Sequence, residues 1–496
     1  MKRLRWYDFV SINLFWLGLN IRNNAVGTIF LPYLVEGFVG PDVRNTALGA
    51  IRTAGLVIAM LAQPAMGILS DRSTSRWGRR RPFLAAGVLL DLVCLALIVL
   101  APDYWTLLAV MVVQQFAANV SHGPLQGLIP DLVPEEQRGA ASAVKSTFEL
   151  VPLILLGLTI APLVGAGRFN LAVLATGLAL LVLTVLTLVL VKEKPLLARP
   201  EAPLAPQMLR VLGMLAGIGI GAAAGLAAGG AVGGLAGLIA WPLAGAETAR
   251  NVGVAAGGIV AMAVAVVAGV WAGTLATLGR EARRRPSFTW WVVNRLLFLA
   301  AVTSIQGFAA YFLMYAFGVD REEAAAMTGT LITIVGVFTL LSALSSGWLA
   351  DRLGQKRLVS FSGLLAGGGT LVLLSTIWAP NLALIYGAGC VLGLSAGLFM
   401  TSNWALGTRL VPPAEAGRYL GVSNLAGAGA GMIGAGIGGP VADYLNRSLP
   451  GLGYFAIFAG YGLLFFLSAA SLRWVVEGGP APDGGEVRPA AATAGR

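Results

Sequence analysis

Six ionisable side chains lie inside long apolar runs of this sequence, where charged groups are rare. They are Arg22, Arg52, Asp91, Lys145, Glu149 and Arg295. If these runs cross a bilayer, a charge at the bilayer centre costs on the order of 2.5–3.5 kcal/mol, so each of the six is a candidate for binding or coupling. The excess of positive charge would suit an anionic substrate, although water and backbone carbonyls could also neutralise it.

The two carboxylates are candidates for coupling to a proton or a cation. Lys145 and Glu149 lie one helical turn apart, so Lys145 could keep Glu149 ionised until a proton or substrate arrives. The alternative is a permanent ion pair that fixes helix packing. We expect Asp91 to be the structural partner of Arg22 or Arg52. The single His122 is expected to act as a hydrogen-bonding residue rather than a proton relay.

Polar uncharged residues recur on helix faces. Asn20 and Asn24 share one face of the first predicted helix, and Gln115 and Asn119 share a face of the fourth. The full predicted substrate pathway comprises Asn20, Asn24, Gln115, Asn119, Gln306, Tyr311, Asn403 and Trp404. Amides bind hydroxyl groups as donors and acceptors, and aromatic faces stack on sugar rings, so this set favours a polyol. The alternative for each amide is a helix–helix hydrogen bond.

The composition identifies the class of protein that must position these groups. Of 496 residues, 57% are hydrophobic and 11% are charged, against roughly 25% charged in soluble chains. Continuous apolar runs predict a polytopic all-α membrane protein and disfavour a soluble enzyme, a disordered chain or a β-barrel. The net charge of +11 is scattered in short clusters, which disfavours a nucleic-acid partner.

Fourteen membrane spans are predicted, in four parts. An N-terminal six-helix bundle covers 1–195, and a linker with a Gly/Ala-rich hairpin covers 196–286. A C-terminal six-helix bundle covers 287–476, and a disordered tail covers 477–496. Lys and Arg concentrate in alternate connections, which predicts cytoplasmic N- and C-termini in a multi-pass protein of the cell membrane.

Glycine recurs at every fourth residue of the predicted hairpin helix 208–243, from Gly213 to Gly237. Such a stripe permits close helix packing. It could serve helix–helix association with another chain, or it could be a seam against the second hairpin helix or the main bundle. We favour the seam.

Two motifs occur twice. Gly67-Ile-Leu-Ser-Asp71-Arg72 recurs as Gly347-Trp-Leu-Ala-Asp351-Arg352, and each copy is followed by basic residues. A second motif runs from Leu132-Val-Pro to Arg138 and again from Leu410-Val-Pro to Arg418. The repetition predicts two parallel six-helix repeats related by an axis along the membrane normal.

The repeated Gly-x-Leu-x-Asp-Arg motif resembles the signature of the major facilitator superfamily. The longer first copy, with Arg76, Gly78 and the run Arg79-Arg80-Arg81, resembles glycoside-pentoside-hexuronide and sucrose-type sugar:cation symporters. The resemblance implies a major facilitator fold in which helix 5, carrying Glu149, lines a central cavity. The hairpin departs from the sugar symporters, and fourteen-span members occur among drug antiporters and peptide carriers.

The repeated motifs are predicted to form gates. Asp71 and Asp351 are expected to face the positive end of a helix in the opposite half and to accept hydrogen bonds from Arg, which would close the cytoplasmic side. The alternative is that the basic clusters only set topology. The predicted gating residues are Gly67, Asp71, Arg72, Arg76, Gly78, Arg79, Arg80, Arg138, Gly347, Asp351, Arg352 and Arg418.

These features predict a secondary active transporter that imports a sugar or glycoside together with a proton or sodium ion. A proton-coupled drug or metabolite exporter is the alternative, and a non-transporting membrane sensor is the second alternative. We expect no enzyme activity, because the acidic residues of the short outer loops form no paired motif, and we expect no cofactor. The absence of a Gly-x4-Gly-Lys-Ser/Thr phosphate loop disfavours an ATP-driven pump. The expected partners are the lipid bilayer and the small solute with its coupling ion.

Overall fold

The computed structural model describes residues 3–193, 195–196, 205–411 and 416–476. The predicted tail at 477–496, most of the linker before 205 and the side chain of Arg418 lie outside the described part.

The described chain is all-helical. Its long helices are α1 (6–39), α2 (Arg44–Asp71), α3 (Arg81–Leu100), α4 (Tyr104–Leu125), α5 (138–165), α6 (Phe169–Leu190), α7 (205–244), α8 (246–278), α9 (Pro286–Phe317), α10 (Arg321–Leu353), α11 (Gln355–Ser375), α12 (Leu382–Leu410), α13 (Ala416–Ser448) and α14 (Leu452–Ser471). Ten helical segments of the described part are long and apolar enough to cross a bilayer, and one of them, Met208–Leu278, holds both α7 and α8. The chain is therefore a multi-pass membrane protein.

Local sequence explains where several helices begin, break or change. Asp103 and Asp320 cap α4 and α10 by accepting hydrogen bonds from backbone N–H groups three residues on, at 2.9 and 2.8 Å. Gly245 has a φ of +81°, which separates α7 from α8. A π-helical segment, Ala25–Phe30, interrupts α1.

The helices pack in two groups. In the first group, α1 packs on α5 and α6, α2 packs on α4, and α3 packs on α4 and α6. In the second group, α12 packs on α10 and α11, α14 packs on α9 and α11, and α13 packs on α9. The two groups meet where α2 packs on α13 and where α5 packs on α10.

The glycine stripe of α7 is a seam within the hairpin, as favoured from the sequence. A Cβ added to Gly217, Gly221 or Gly233 would come within 2.3–2.5 Å of backbone atoms of α8. The stripe is therefore covered by α8 and does not face another chain. The hairpin itself rests on the second group, where Gly258 of α8 contacts Val441 of α13.

Contact between the groups differs at their two ends. We call the end that carries Asp71 and Asp351 the motif end, and the end that carries Asn45 and Asp443 the sealed end. At the sealed end, a Cβ on Gly439 would lie 2.4 Å from the carbonyl oxygen of Asn45. Contact continues to the middle of α5 and α10, where Gly157 packs against Gly329.

At the motif end, the space beside two glycines is open among the described residues. A Cβ added to Gly139 of α5 or to Gly347 of α10 would meet no described atom within 4 Å. No described residue therefore occupies the space directly beside either glycine in this conformation. Gly67 lies beside the backbone of Gly123, at 3.7 Å, within its own group.

Candidate functional site

A charged and aromatic cluster lies on the first group toward the motif end. The ammonium of Lys145 lies 3.4 Å from a carboxylate oxygen of Glu149 and 4.2 Å from the centre of the Trp16 ring. Trp16 in turn meets the ring of His122 edge-on at 5.3 Å. The Glu149 side chain is 36% exposed.

The second carboxylate is enclosed. Nε of Arg22 donates to Asp91 at 2.7 Å, and Nη2 of Arg22 makes a second contact with the same oxygen. Both side chains are buried. Of the two partners considered for Asp91, the structure places Arg22 beside it, and this ion pair joins α1 to α3.

Arg52 lies at the junction of three helices. Its Nη2 donates to the carbonyl of Gly27, at 2.5 Å, in the π-helical segment of α1. Its Nη1 packs closely against Gly307 of α9, and a Cβ atom on Gly307 would lie 1.7 Å from Nη1. A π-helical turn leaves carbonyls without their usual intrahelical partners, which explains why Gly27 can accept from a side chain.

The amides of α1 and α4 use their N–H groups on their own helices. Asn20 donates to the Trp16 carbonyl at 2.9 Å, Asn24 to the Asn20 carbonyl at 2.8 Å, and Asn119 to the Gln115 carbonyl at 2.7 Å. This geometry turns each amide oxygen outward as an acceptor. Gln115 packs against Gly55 of α2, and a Cβ atom on Gly55 would lie 2.8 Å from Cγ of Gln115.

In the second group, Asn403 belongs to a buried network. It donates to Asn294 at 2.7 Å and accepts from Arg295 at 3.3 Å, while Asn294 donates to Ser468. The network joins α9, α12 and α14. Arg295 also lies over the ring of Trp404, at 5.2 Å, and that ring is 38% exposed.

Two predicted pathway residues lie in other places. Gln306 lines a mostly apolar cavity inside the second group, together with Phe312, Val335 and Leu392. Tyr311 is fully buried at the contact between the groups, and its hydroxyl donates to the carbonyl of Pro32 at 3.1 Å. Sequence spacing placed both on α9, but only the neighbouring helices determine what each one faces.

At the sealed end, Asp443 of α13 caps α2 from the opposite group. Its carboxylate accepts from the backbone N–H of Thr46 at 2.7 Å, from the backbone N–H of Asn45 at 3.3 Å and from the Asn45 side chain at 2.7 Å. A carboxylate at a helix N-terminus is stabilised by the helix dipole. This is the arrangement that was expected for Asp71 and Asp351, but it lies at the opposite end of the bundle.

Further polar contacts join the groups at the sealed end. The Tyr33 hydroxyl donates to Glu322 at 2.8 Å, and Arg321 lies over the Tyr33 ring at 4.4 Å. Arg44 pairs with Glu36 at 3.1 Å and donates to the Tyr454 hydroxyl across the contact. Sequence reasoning missed this set. Arg44 and Arg321 lie in connections that otherwise hold few Lys or Arg residues. Their presence there was a signal in the sequence that could have indicated this contact.

At the motif end, Asp71 pairs within its own group. Arg80 contacts Asp71 at 2.6 Å, Asp131 at 2.9 Å and the Ser70 hydroxyl at 2.8 Å, and Arg79 also pairs with Asp131. Asp71 remains 50% exposed. No contact of Asp71 with the opposite half is found among the described residues, which exclude 412–415 and the side chain of Arg418.

Glu193, just after α6, fixes the turn that carries the basic run. It accepts from the backbone N–H of Arg80 at 2.7 Å, and burial raises the pKa of its carboxyl. Gly78 has a φ of +110°, and a Cβ there would lie 2.6 Å from Oε2 of Glu193. Gly78 is thus required for both its backbone conformation and the approach of Glu193.

The remaining predicted gating residues differ in their surroundings. Arg138 donates to the carbonyls of Pro130 and Val133, at 3.1 and 3.4 Å. Arg352 lies over the ring of Trp348 at 4.0 Å, while Asp351 and Arg76 are exposed. Arg72 is half-buried and also takes part in a polar or ring interaction.

Comparison with known families identifies the fold. The sequence model of the Major Facilitator Superfamily matches residues 17–435 and 292–494. The chain belongs to the major facilitator superfamily, and this membership indicates a membrane transporter rather than an enzyme.

Curated relatives match short segments. The chain is 30% identical over 114 residues to sucrose transport protein SUT1 of Oryza sativa subsp. japonica, covering 18% of this chain and 21% of that protein. It is 32% identical over 127 residues to multidrug resistance protein MdtG of Serratia proteamaculans (strain 568), covering 25% of this chain and 30% of that protein. The matched segments thus span less than a third of either relative.

Solved structures share the fold over nearly the whole chain. The D-xylose-proton symporter has a TM-score of 0.62 at 15% identity, covering 95% of this chain and 99% of that one. The POT family transporter PepTSo has a TM-score of 0.62 at 12% identity, with coverage of 95% and 99%.

Proposed function

We propose that the protein is a secondary active transporter that moves a small polar solute, a sugar or glycoside, by proton- or cation-coupled symport. One observation carries the proposal. The two helix groups are joined by polar contacts at the sealed end, while Glu149 is exposed near the open motif end. Such an arrangement suits one state of an alternating-access cycle.

The motif end is assigned to the cytoplasm. Lys and Arg concentrate in the connections at that end, as the positive-inside pattern requires. The fourteen long helices then cross a cell membrane as fourteen spans, with 1–195 and 287–476 as parallel repeats and both termini in the cytoplasm. The described conformation is the inward-open state of the transporter.

The acceptor groups of the first helix group support a sugar or glycoside as the substrate. Asn20, Asn24 and Asn119 are each held by a hydrogen bond to their own helix, so their oxygens are pre-oriented to accept from hydroxyl groups. The segment similar to sucrose transport protein SUT1 supports the same class.

Glu149 is proposed to be the coupling group. With a proton bound, it no longer attracts Lys145, whose ammonium still has the ring of Trp16 on its other side. Release of the proton into the cytoplasm restores the ion pair. The state of the pair would thereby bias the packing of α5 against α10.

The gates act in turn. When the sealed end opens, Asp443 must leave the N-terminus of α2. The motif end then closes, and Asp71 and Asp351 meet the helices of the opposite half that they were expected to face. Arg80 holds Asp71 in place for this contact.

Uptake into proteoliposomes tests the proposal. Radiolabelled disaccharide should accumulate under an inward proton or sodium gradient. Glu149→Gln should lose accumulation but retain sugar exchange without a gradient. Glu281→Gln, which removes a carboxylate on the short helix before α9, is the matched control and should accumulate normally. Failure of any sugar to accumulate under either gradient would contradict the proposal.

A proton-coupled drug or metabolite exporter is the second candidate. It is favoured by the segment similar to multidrug resistance protein MdtG. Expression in cells would then lower drug accumulation, and Glu149→Gln would abolish the effect. A sensor would move no solute in either assay.

A further inference from the structure

The deep cations of the protein are not all compensated. Arg22 pairs with Asp91, Lys145 with Glu149 and Arg44 with Glu36. Among the described residues, Arg52 and Arg295 have no carboxylate within 4.0 Å. An uncompensated charge in such a place is costly, so it points to a function.

The two unpaired guanidinium groups differ in their surroundings. Arg295 is held by Asn403 and Trp404, and its Nε is enclosed without a partner. Arg52 has one acceptor in the described part, the carbonyl of Gly27. Its Nε and Nη1 are not fully enclosed by the described residues, so these donors remain accessible.

Two glycines form a cradle around Arg52. Gly307 leaves room for Nη1 where any Cβ would collide with it. Beside Gly27, no described atom lies within 4 Å of the position of a Cβ, so space is open next to the carbonyl that orients the guanidinium. The group is thus fixed from one side and approachable from another.

Polar acceptors lead from Arg52 toward the motif end. Asn24 and Asn20 lie three and seven residues before Gly27, which places them on nearly the same face of α1. Their axial distances from Gly27 are about 4.5 Å and about 10 Å. These distances match the length of one sugar ring and its substituents.

We propose that the transported solute is an anionic glycoside, carrying one carboxylate or phosphate group, and that Arg52 binds this group. This inference rests on the proposed function and specifies its substrate. The fork of N–H donors on Arg suits two-point binding of carboxylate or phosphate. The hydroxyl groups of the solute then lie beside Asn24 and Asn20, and Arg52 distinguishes charged from neutral sugars.

Binding and exchange by the full-length protein in proteoliposomes test the proposal. The probes are methyl α-glucoside as a neutral solute, galacturonate as a carboxylate and glucose 6-phosphate as a phosphate, with potassium chloride as the inorganic control. At least one anionic probe should bind and exchange. Arg52→Gln should weaken its binding by roughly 10- to 100-fold, the range expected for a lost charged hydrogen bond.

Two further variants make the test independent of folding. Arg284→Gln removes the same charge from an exposed helix before α9 and should leave binding of the anionic probe unchanged. Gly307→Ala keeps the charge but displaces the guanidinium, so it should weaken binding of the anionic probe as Arg52→Gln does. If Arg52→Gln does not fold, Gly307→Ala decides the outcome.

The outcomes separate this inference from the proposed function. If only the neutral glucoside exchanges, and Arg52→Gln and Gly307→Ala do not change its rate, the inference is overturned and sugar transport stands. Binding of chloride alone at Arg52 would also overturn it. If no sugar of either charge moves, the proposed function fails with it.

Discussion

The contact between Asp443 and α2 predicts a large effect of one substitution on the conformational equilibrium. Asp443→Asn keeps the shape and one acceptor oxygen but removes the charge that accepts three N–H groups of Asn45 and Thr46. A hydrogen bond to a charged group contributes about 1.5–3 kcal/mol, and the charge at the helix N-terminus contributes about 0.3–1 kcal/mol. Since Asn retains part of this, we expect the sealed end to lose about 2 kcal/mol, or about 30-fold in the population ratio.

Labelling of a cysteine placed at Thr53 measures this shift, because Thr53 lies in the contact beside Gly436. A membrane-impermeant maleimide added from the sealed-end side should react roughly 10- to 30-fold faster in Asp443→Asn. Asp42→Asn is the matched control, since Arg447 contacts the backbone carbonyl of Asp42 rather than its carboxylate. An unchanged or slower labelling rate in Asp443→Asn would refute the assignment of this contact as a gate.

Three further substitutions have defined outcomes. Asp91→Asn leaves Arg22 buried without its partner and should destabilise the protein by about 3–5 kcal/mol, seen as a lower Tm. Gly78→Ala must place a side chain at positive φ against Glu193 and should cost about 1–3 kcal/mol, again measured as a lower Tm. Burial raises the folded-state pKa of Glu193 above its unfolded value, so its contribution to stability is present at low pH and is lost as pH rises through the folded pKa. Thermal melts from pH 4 to pH 8 should therefore show wild type losing stability relative to Glu193→Gln.

Each of these predictions has a control in the same chain. Adding Arg22→Gln to Asp91→Asn should recover part of the lost stability, and no recovery would argue against the pair. Gly139→Ala lies where no described atom is within 4 Å, so its Tm should not fall. The exposed Glu135→Gln is the matched control for the melts at different pH. An equally steep difference there would remove Glu193 as the cause.

Several features of the candidate site follow from the sequence, because they depend on local periodicity. The stripe from Gly213 to Gly237 predicted a close helix seam, and α8 fills it in the structure. Asp91 was expected to pair with Arg22 or Arg52, and it lies beside Arg22, which is two residues from Asn20 and therefore on a different face of α1. In both cases helical spacing alone determines the direction of the side chain.

Other features could not be predicted, because they depend on which helices meet. Asn403 and Tyr311 were predicted as pathway residues from their place on the helices, but their contacts with Asn294 and with the carbonyl of Pro32 depend on the neighbouring helices. Asp443 carried no local motif, since its partners Asn45 and Thr46 are almost 400 residues away in sequence.

The sequence by itself determined an all-helical membrane chain, its repeated motifs and the few charges that apolar runs must accommodate. Apolar runs, glycine spacing and the distribution of Lys and Arg are local properties, so no partner helix is needed to interpret them. Only the tertiary structure decided which charges are neutralised and which end of the bundle is joined. A charge is compensated only by what lies within a few ångströms of it, and Arg52 has a carbonyl of α1 and a glycine of α9 there but no carboxylate of the described residues.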